Sequence, residues 1–290
     1  MIKKLSVKNF KSLKDISLDL GPITVLVGEN STGKSSVLQL LLLLKQNLRD
    51  PKNDYLTREI GLLVDPIYTG AEEIYYVQRQ IPEKSELIIN LLQKLEQNSD
   101  GVLSKIAEVV ITSGICTGIK LEPVDGGYSL MLETRPGQWI NLWEAGSGIL
   151  QIFSIVLQGF LTPKNSTLLL EQPEIYLCPR LQAELGTIIA EIARQGKTVL
   201  VETHSEHLVL RLQRLIAQGI LKPGDVAIYF FKLNESGYTE AQRIGIDKLG
   251  QLENWPEGFF ETDLKELDAY MDDVFERVKN EKGSKSRRGH

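Results

Sequence analysis

Residues 28–35 constrain this chain more than any other stretch. They read Gly28-Glu29-Asn30-Ser31-Thr32-Gly33-Lys34-Ser35 and satisfy the pattern GxxxxGK[ST]. The short apolar run Ile23–Val27 precedes them and the stretch Ser35–Leu48, which has helical length and lacks Gly and Pro, follows. A buried strand, a glycine-rich turn and a helix are therefore predicted in the order that a nucleotide phosphate site requires. The alternative is a plain glycine turn before a core helix.

The chemistry of these residues explains the pattern. Glycines allow the backbone to curl so that amide N–H groups point at phosphate oxygens, and the helix N-terminus adds positive potential. Lys34 is expected to reach the β- and γ-phosphates, and Ser35 is expected to hold Mg²⁺. ATP and Mg²⁺ are the predicted cofactors. The predicted nucleotide contacts in this region are Gly28, Glu29, Asn30, Ser31, Thr32, Gly33, Lys34, Ser35 and Ser36.

Strand and helix patterns alternate in the second half of the chain, which favours a parallel sheet covered by helices. The predicted order is helix Ile149–Phe160, strand Thr167–Leu170, helix Pro179–Ala193, strand Thr198–Glu202 and helix Glu206–Gln218. Two antiparallel pairs flank this region, Ile2–Val7 with Ile16–Leu20 and Val226–Leu233 with Tyr238–Ile244. Residues 50–140 mix Pro, Gly and acidic residues, so we expect an inserted lobe there, with a helix at Val102–Val110 and strands at Gly118–Leu121 and Tyr128–Glu133.

Composition excludes several classes of protein. A chain with 42% hydrophobic and 24% charged residues matches an ordinary globular protein with a sizeable core. The net charge of −5 argues against a nucleic-acid coating protein, although a local basic patch stays open. No apolar run approaches the roughly 20 residues that cross a bilayer, and no apolar secretion segment follows Met1–Lys4. We therefore expect a cytoplasmic protein without a membrane partner.

The last 40 residues divide by charge. Residues 251–280 are acidic and carry an apolar stripe at helical spacing, whereas residues 281–290 are basic and rich in Ser and Gly. We expect an ATPase head over residues 1–250, an acidic helical segment at 251–280 and a disordered basic tail at 281–290. The stripe either docks on its own domain or contacts a second copy or a partner.

Three ordered blocks resemble one known group of proteins. Residues 4–13, which read KLSVKNFKSL, resemble the N-terminus of the SMC, RecF and overlapping-lysogenization-defect group of ABC-type ATPases. Residues 167–179, TLLLEQPEIYLCP, resemble the Walker B block of that group, and residues 199–205, VLVETHS, resemble its switch-histidine strand. The similarity covers residues 1–48 and 142–245, and residues 254–260 resemble a C-terminal region of some bacterial stand-alone members. The resemblance implies an α/β P-loop fold of ABC-ATPase type, with a mixed sheet, flanking helices and an inserted lobe.

The acidic and imidazole side chains of these blocks suit ATP chemistry. Glu171 ends a strand beside the phosphate loop, where an oxygen can accept Mg²⁺ or its water, so Glu171 is the candidate metal partner of Ser35. The family role that maps onto His204 is to sense the γ-phosphate. A satisfied strand-end acid and a structural histidine are the respective alternatives.

The chain departs from the family pattern at Gln172. Relatives normally carry a glutamate there, which orients or deprotonates the attacking water, whereas an amide can orient water without accepting its proton. Glu174 is the second candidate for the missing carboxylate. Slow hydrolysis is expected, and whether Gln172 is natural or engineered stays open.

The segment Gly146-Ser147-Gly148 opens a helix and resembles the family signature motif. In the family, this motif binds the γ-phosphate of the opposite subunit, so Ser147 and Gly148 are candidate nucleotide contacts in trans. Leu150 stands where relatives commonly carry serine, and Tyr176 and Cys178 replace two histidines. A plain glycine helix cap is the alternative.

These features predict an ATPase that assembles as a homodimer or larger complex, with ATP at the interface. The resemblance implies a role in anti-phage defence or DNA maintenance with a separately encoded effector such as a nuclease, and DNA contact stays open. A non-hydrolysing ATP-dependent scaffold is the first alternative. A transporter motor is the second, and the N-terminal block disfavours it.

Overall fold

The computed structural model describes residues 2–47, 63–65, 74–77, 86–97, 101–125, 127–254, 256 and 270–271 of the 290-residue chain. The chain divides into two compact units, Met1–Glu253 and Asn254–His290. All strands and helices named below lie in the first unit.

A seven-stranded mixed sheet forms the centre of the first unit. Its strands in spatial order are β5 (Ile74–Val77), β9 (Thr167–Glu171), β10 (Thr198–Glu202), β3 (Ile23–Gly28), β11 (Val226–Leu233), β12 (Thr239–Ile246) and β13 (Leu252–Glu253). The first five are parallel to one another, β12 is antiparallel to β11, and β13 is antiparallel to β12. Since β3 is apolar at nearly every position and lies in the middle, its residues 23–27 are all buried. The predicted mixed α/β sheet is confirmed.

Six α-helices accompany the sheets in the described part of the first unit. They are α1 (Lys34–Asn47), α2 (Glu86–Gln97), α3 (Val102–Thr112), α4 (Ser147–Leu161), α5 (Pro179–Arg194) and α6 (Glu206–Ala217). Two short 3₁₀ helices span Leu142–Glu144 and Pro223–Asp225. Residues 150–160 of α4 are all buried, so this helix lies inside the core. The helices predicted within residues 35–218 are confirmed, and α2 is a further helix that the sequence analysis did not predict.

A second sheet shares a hydrophobic core cluster with α1. It consists of β2 (Leu13–Asp19), β1 (Lys4–Phe10) and β4 (Leu63–Asp65), all antiparallel. The predicted hairpin is present, with a two-residue turn at Lys11 and Ser12. Leu5, Val7 and Leu18 alternate with exposed or half-buried residues and share one core cluster with the leucines of α1.

The predicted lobe at 50–140 contributes to several layers. β4 and β5 belong to the two sheets already described. A third antiparallel sheet contains β6 (Gly118–Val124), β7 (Gly127–Arg135) and β8 (Gln138–Asn141), and α2 packs against β7 and α4. The two predicted strands of this region are confirmed, whereas β8 was not foreseen.

The predicted acidic helix and basic tail at 251–290 lie outside the described residues, apart from 251–254, 256 and 270–271. Within the described parts of the chain, we find no helix that is long and apolar enough to cross a membrane.

Candidate nucleotide site

The phosphate loop, Gly28–Ser35, lies at the carboxyl edge of the parallel strands. β3 ends at Gly28 and α1 begins at Lys34. On the neighbouring strands, β10 ends at Glu202 and β9 ends at Glu171, and the register pairs these two residues directly. Because ligands of α/β sheets bind at the carboxyl ends of the strands, the predicted phosphate and metal residues converge on one edge.

Two glycines of the phosphate loop are required by crowding as well as by backbone conformation. Gly28 has φ +130°, and a Cβ atom there would lie 2.1 Å from the carbonyl oxygen of Phe231. Gly33 has φ +99°, and its Cβ would lie 2.5 Å from Thr239 Oγ1. The loop can approach β11 and β12 this closely only without side chains at these positions.

A hydroxyl brace supports the loop from behind. Thr239 Oγ1 donates to the carbonyl oxygen of Thr32 at 2.8 Å and lies 2.7 Å from Ser12 Oγ. The backbone N–H of Thr239 donates to the Ser12 carbonyl at 2.9 Å. Ser12 and Thr239 were not predicted as site residues, since neither is adjacent to the loop in sequence. Their contacts fix the loop to the first hairpin and to β12.

Lys34 is held inside the loop. It is 3% exposed, and its Nζ donates to the carbonyl oxygens of Gly28 at 3.0 Å and Glu29 at 2.5 Å. Burial lowers the pKa of Lys34 below its usual value, while the negative charges of Glu202 and Glu29 act in the opposite direction. The ammonium group thus lies at the start of α1, where a phosphate would also meet the helix N-terminus.

The hydroxyl predicted to hold the metal contacts an acid that the sequence prediction missed. Ser35 Oγ donates to Glu202 Oε1 at 2.9 Å, and Glu202 is 2% exposed. Glu171, the predicted metal partner, is half-buried and lies beside Glu202 in the β9–β10 register. Glu202 carries the same sequence signal as Glu171, an acid that ends a buried apolar strand, but it was taken only as a strand end.

These oxygen atoms suit Mg²⁺, which prefers carboxylates, hydroxyls, phosphates and water. The described residues contain no cluster of three or more His, Cys, Asp or Glu side chains that could hold a metal alone. Ser35 and Glu171, with Glu202 hydrogen-bonded to Ser35, therefore fit a cation that takes its remaining ligands from phosphate oxygens and water. The glycine cradle and Lys34 fit the phosphates themselves.

The residues after β9 form a tight turn against β10. Gln172 has φ +44°, and its backbone N–H donates to the Glu202 carbonyl at 2.8 Å. Glu174 Oε1 accepts the backbone N–H of His204 at 2.7 Å, and His204 is exposed two residues beyond the end of β10. Glu174 thereby fixes the backbone of the predicted switch histidine.

The signature segment, Gly146–Gly148, opens α4 and is partly exposed. Gly146 and Ser147 are exposed, and a Cβ at Gly146 would meet no atom within 4 Å. Gly148 differs, because its Cβ would lie 2.7 Å from the carbonyl oxygen of Tyr176. Among the described residues, no hydrogen bond joins the signature segment to the phosphate loop. The proposed contacts of Ser147 and Gly148 with nucleotide therefore stay a prediction.

Models of three known protein families match most of the chain. A model described as "AAA ATPase domain" matches residues 1–90, and one described as "AAA domain, putative AbiEii toxin, Type IV TA system" matches residues 62–211. A third, "Protein of unknown function (DUF3696)", matches residues 221–269. The second model covers just over half of the chain.

The OLD nuclease of Thermus scotoductus (strain ATCC 700910 / SA-01) is 41% identical over 81 residues, which are 24% of this chain and 15% of the nuclease. This chain therefore matches only a small part of that relative's length.

Among solved structures, an SMC head bound to the C-winged helix domain of ScpA superposes with a TM-score of 0.59 at 11% identity, covering 85% of this chain and 98% of that one. The SMC head domain from Thermotoga maritima gives 0.51 at 12% identity, with 85% and 99% covered. At this identity the likeness establishes the fold. With the phosphate loop, the strand-end acids and the matched models in agreement, the chain belongs to the family described as "AAA domain, putative AbiEii toxin, Type IV TA system", and it is an ATP-binding AAA-type ATPase whose fold resembles that of SMC heads.

Proposed function

We propose that this ATPase uses bound Mg·ATP to join two copies of the chain, so that the nucleotide acts as an assembly switch. The observation that carries the proposal is the contrast between a crowded phosphate loop and an exposed signature segment. Gly146 has ordinary dihedral angles, φ −60° and ψ 154°, and open space around it. No contact within the described residues therefore requires glycine there, whereas an incoming triphosphate would.

Each composite site would pair the phosphate loop of one copy with the signature segment of the other. α4 has 15 residues and begins at Ser147, so its exposed N-terminus offers amide N–H groups and positive potential to a γ-phosphate. A head-to-tail arrangement of two copies gives two equivalent sites. Binding energy from ATP then stabilises the assembly in proportion to nucleotide concentration.

Each of the predicted residues at this site has a proposed role. Lys34 binds the β- and γ-phosphates, Ser35 and Glu171 hold the cation, and His204 reports the loss of the γ-phosphate. When bound, Mg²⁺ neutralises charge on the phosphates. Gln172 orients the attacking water but cannot take its proton, since an amide is not a base at neutral pH. Hydrolysis is accordingly slow.

A second function, an ATP-dependent scaffold that does not hydrolyse, is favoured by one further contact. Glu174, the alternative base, already accepts the His204 backbone N–H through Oε1. Single-turnover hydrolysis of ATP by the wild type separates the two functions. In the enzyme, Gln172→Glu restores a base and raises turnover by about 10²–10⁴-fold. A scaffold shows ATP-linked assembly and releases no phosphate.

The biological setting of the proposal rests on relatives. A segment of the chain is similar to a protein named as a nuclease, so a separately encoded nuclease, together with DNA, is the proposed effector system. We place the complex in bacterial anti-phage defence or DNA maintenance, in the cytoplasm.

Light scattering with and without Mg·ATP tests the assembly switch. The wild type should double its mass or more when ATP is added. Gly146→Glu should remove that increase, because a carboxylate in the signature segment would face the γ-phosphate of the other copy.

The control for this variant is Gly224→Glu, since Gly224 is also exposed with open space around it and ordinary backbone angles. It should assemble as the wild type does. Substitution of Gly148 is unsuitable, because the Tyr176 carbonyl would be displaced within the same chain. An unchanged wild-type mass with ATP would refute the switch.

A further inference from the structure

Glu202 is the acidic side chain that contacts the predicted cation ligand. Its Oε1 accepts the hydroxyl proton of Ser35 at 2.9 Å, and the side chain is 2% exposed. The resemblance to a Walker B block instead predicts Glu171 as the metal partner of Ser35. The structure thus contains a carboxylate whose role the sequence motifs do not assign.

Sheet order explains why Glu202 reaches the loop. β10 is the direct neighbour of β3, and Glu202 pairs with Leu26, two residues before Gly28. β9 lies one strand further away, and adjacent strands are separated by about 4.8 Å. Because Glu202 and Glu171 are paired in register, their side chains leave the same face of the sheet, with Glu202 nearer to the loop.

The chemistry of a hydroxyl ligand gives this contact a purpose. A serine oxygen that binds a cation must direct its lone pairs at the metal and its proton elsewhere. A carboxylate that accepts the proton fixes that orientation and increases the electron density on the oxygen, as groups behind metal ligands commonly do. The negative charge of Glu202 also raises the pKa of Lys34, against the larger lowering effect of burial.

We propose that Glu202 is a positioning residue of the divalent-cation site, which orients Ser35 towards the metal and adds a second carboxylate charge beside Glu171. The inference rests on the proposed use of Mg·ATP. The site then holds two carboxylates although Gln172 is neutral. They come from two adjacent strands instead of two consecutive residues of one strand.

The test compares the affinity for a slowly hydrolysed ATP analogue in Mg²⁺ with the affinity in EDTA, both by calorimetry. The ratio of these affinities measures the coupling between metal and nucleotide. Glu202→Gln keeps an oxygen that can accept the Ser35 proton but removes the charge. The ratio should fall about 10–100-fold, while the affinity in EDTA stays equal or becomes tighter because a negative charge near the phosphates is lost.

Three further variants make the result specific. Glu235→Gln removes an exposed carboxylate and should leave the ratio unchanged. Ser35→Ala should lower the ratio at least as much as Glu202→Gln, and the loss in the double variant should be smaller than the product of the two single losses, because part of the effect of Glu202 passes through the Ser35 hydroxyl. Glu202→Asp, which keeps the charge, supplies the measurement if Glu202→Gln does not fold, and it should retain more of the ratio than Ser35→Ala.

Two outcomes would overturn the inference. One is a ratio for Glu202→Gln within twofold of the wild type. The other is an equal loss of affinity in Mg²⁺ and in EDTA, which a purely structural residue would produce. A failed assembly switch is distinguishable, since light scattering would show it while the affinity ratio still depended on Glu202.

Discussion

The phosphate loop and the signature segment differ in how much of their surroundings the chain itself supplies. In the loop, Lys34 is 3% exposed and is hydrogen-bonded to two carbonyl oxygens. A Cβ atom added at Gly28 or Gly33 would clash with atoms of β11 or β12. In the segment, Gly146 and Ser147 face open space. The chain therefore builds the surroundings of the phosphate loop itself, whereas it leaves the N-terminal end of the signature segment exposed.

This difference teaches that glycines of two motifs are required for different reasons. Gly28 cannot change without displacing β11, and Gly148 cannot change without displacing the turn at Tyr176. Gly146 can change without a clash inside the chain. A substitution at either of the first two positions therefore reports on folding, and one at the third reports on the proposed assembly.

The largest expected effect is that of Gly28→Ala. The added Cβ would lie 2.1 Å from the Phe231 carbonyl at φ +130°, so strain and overpacking together should lower the free energy of unfolding by about 3–5 kcal/mol. Gly237→Ala is the matched control, because its φ is +75° but no atom lies within 4 Å, and it should cost about 1–2 kcal/mol. Urea unfolding measures both. Equal losses would mean that crowding does not distinguish the loop.

Lys34→Ala should weaken ATP binding without a comparable effect on folding. The variant loses a charge-assisted contact of about 1.5–3 kcal/mol, which corresponds to about 10- to 150-fold in affinity. Calorimetry with a slowly hydrolysed analogue measures the change, and Lys164→Ala, at an exposed loop position, provides the control. Wild-type affinity in Lys34→Ala would contradict the site assignment.

Thr239→Val tests the hydroxyl brace behind the loop. The substitution removes the donor to the Thr32 carbonyl and the partner of Ser12, so we expect a loss of about 1–2 kcal/mol in unfolding free energy. ATP affinity should fall with it, because the loop is held less firmly. Thr134→Val, on an exposed part of β7, should be nearly neutral. A stable Thr239→Val with full affinity would show that the glycines alone shape the loop.

The smallest expected effect concerns the C-terminus of α4, the helix that begins in the signature segment. Lys197 Nζ donates to the Gly159 and Phe160 carbonyls at the end of α4, and burial, with repulsion from Lys105, lowers its pKa to about 8. The unfolded chain holds this proton up to about pH 10.5. Between these values the folded state binds fewer protons, so the contribution of Lys197 to stability rises with pH.

Unfolding free energies at pH 7, 8, 9 and 10 for the wild type and Lys197→Met isolate this contribution. The difference between the two proteins should shift in favour of the wild type as the pH rises, with a slope well below the limit of about 1.4 kcal/mol per pH unit. A flat difference would mean that the anchor of α4 does not depend on the charge of Lys197.

The elements that could be predicted from sequence are those with an uninterrupted local signal. Ile23–Val27 is apolar throughout and forms the central strand, and the helices after the two acid-ended strands were bounded to within two residues. β8 has four residues, too few for a periodic signal. α2 has an apolar periodicity, but Pro and Gly around it hid its bounds.

The site was predictable where a motif is contiguous and unpredictable where sheet order decides. The phosphate loop follows from eight consecutive residues. The contact of Glu202 with Ser35 follows from the position of β10 between β3 and β9, which no local pattern contains. The same holds for Thr239, which lies 207 residues from Thr32. The roles of Gln172, Glu174 and His204 stay predictions.

The central position of β3 also determines when the nucleotide site can exist. Both neighbours of this strand, β10 and β11, are synthesised long after it, and Thr239 follows them. The phosphate loop of a nascent chain therefore leaves the ribosome early, whereas β10, β11 and Thr239, which support the loop, leave it late. The closure of such long loops slows folding and prolongs exposure of apolar strands. The capacity to bind ATP should arise abruptly, only after residue 239 has left the ribosomal exit tunnel. Incomplete chains are therefore not expected to bind ATP.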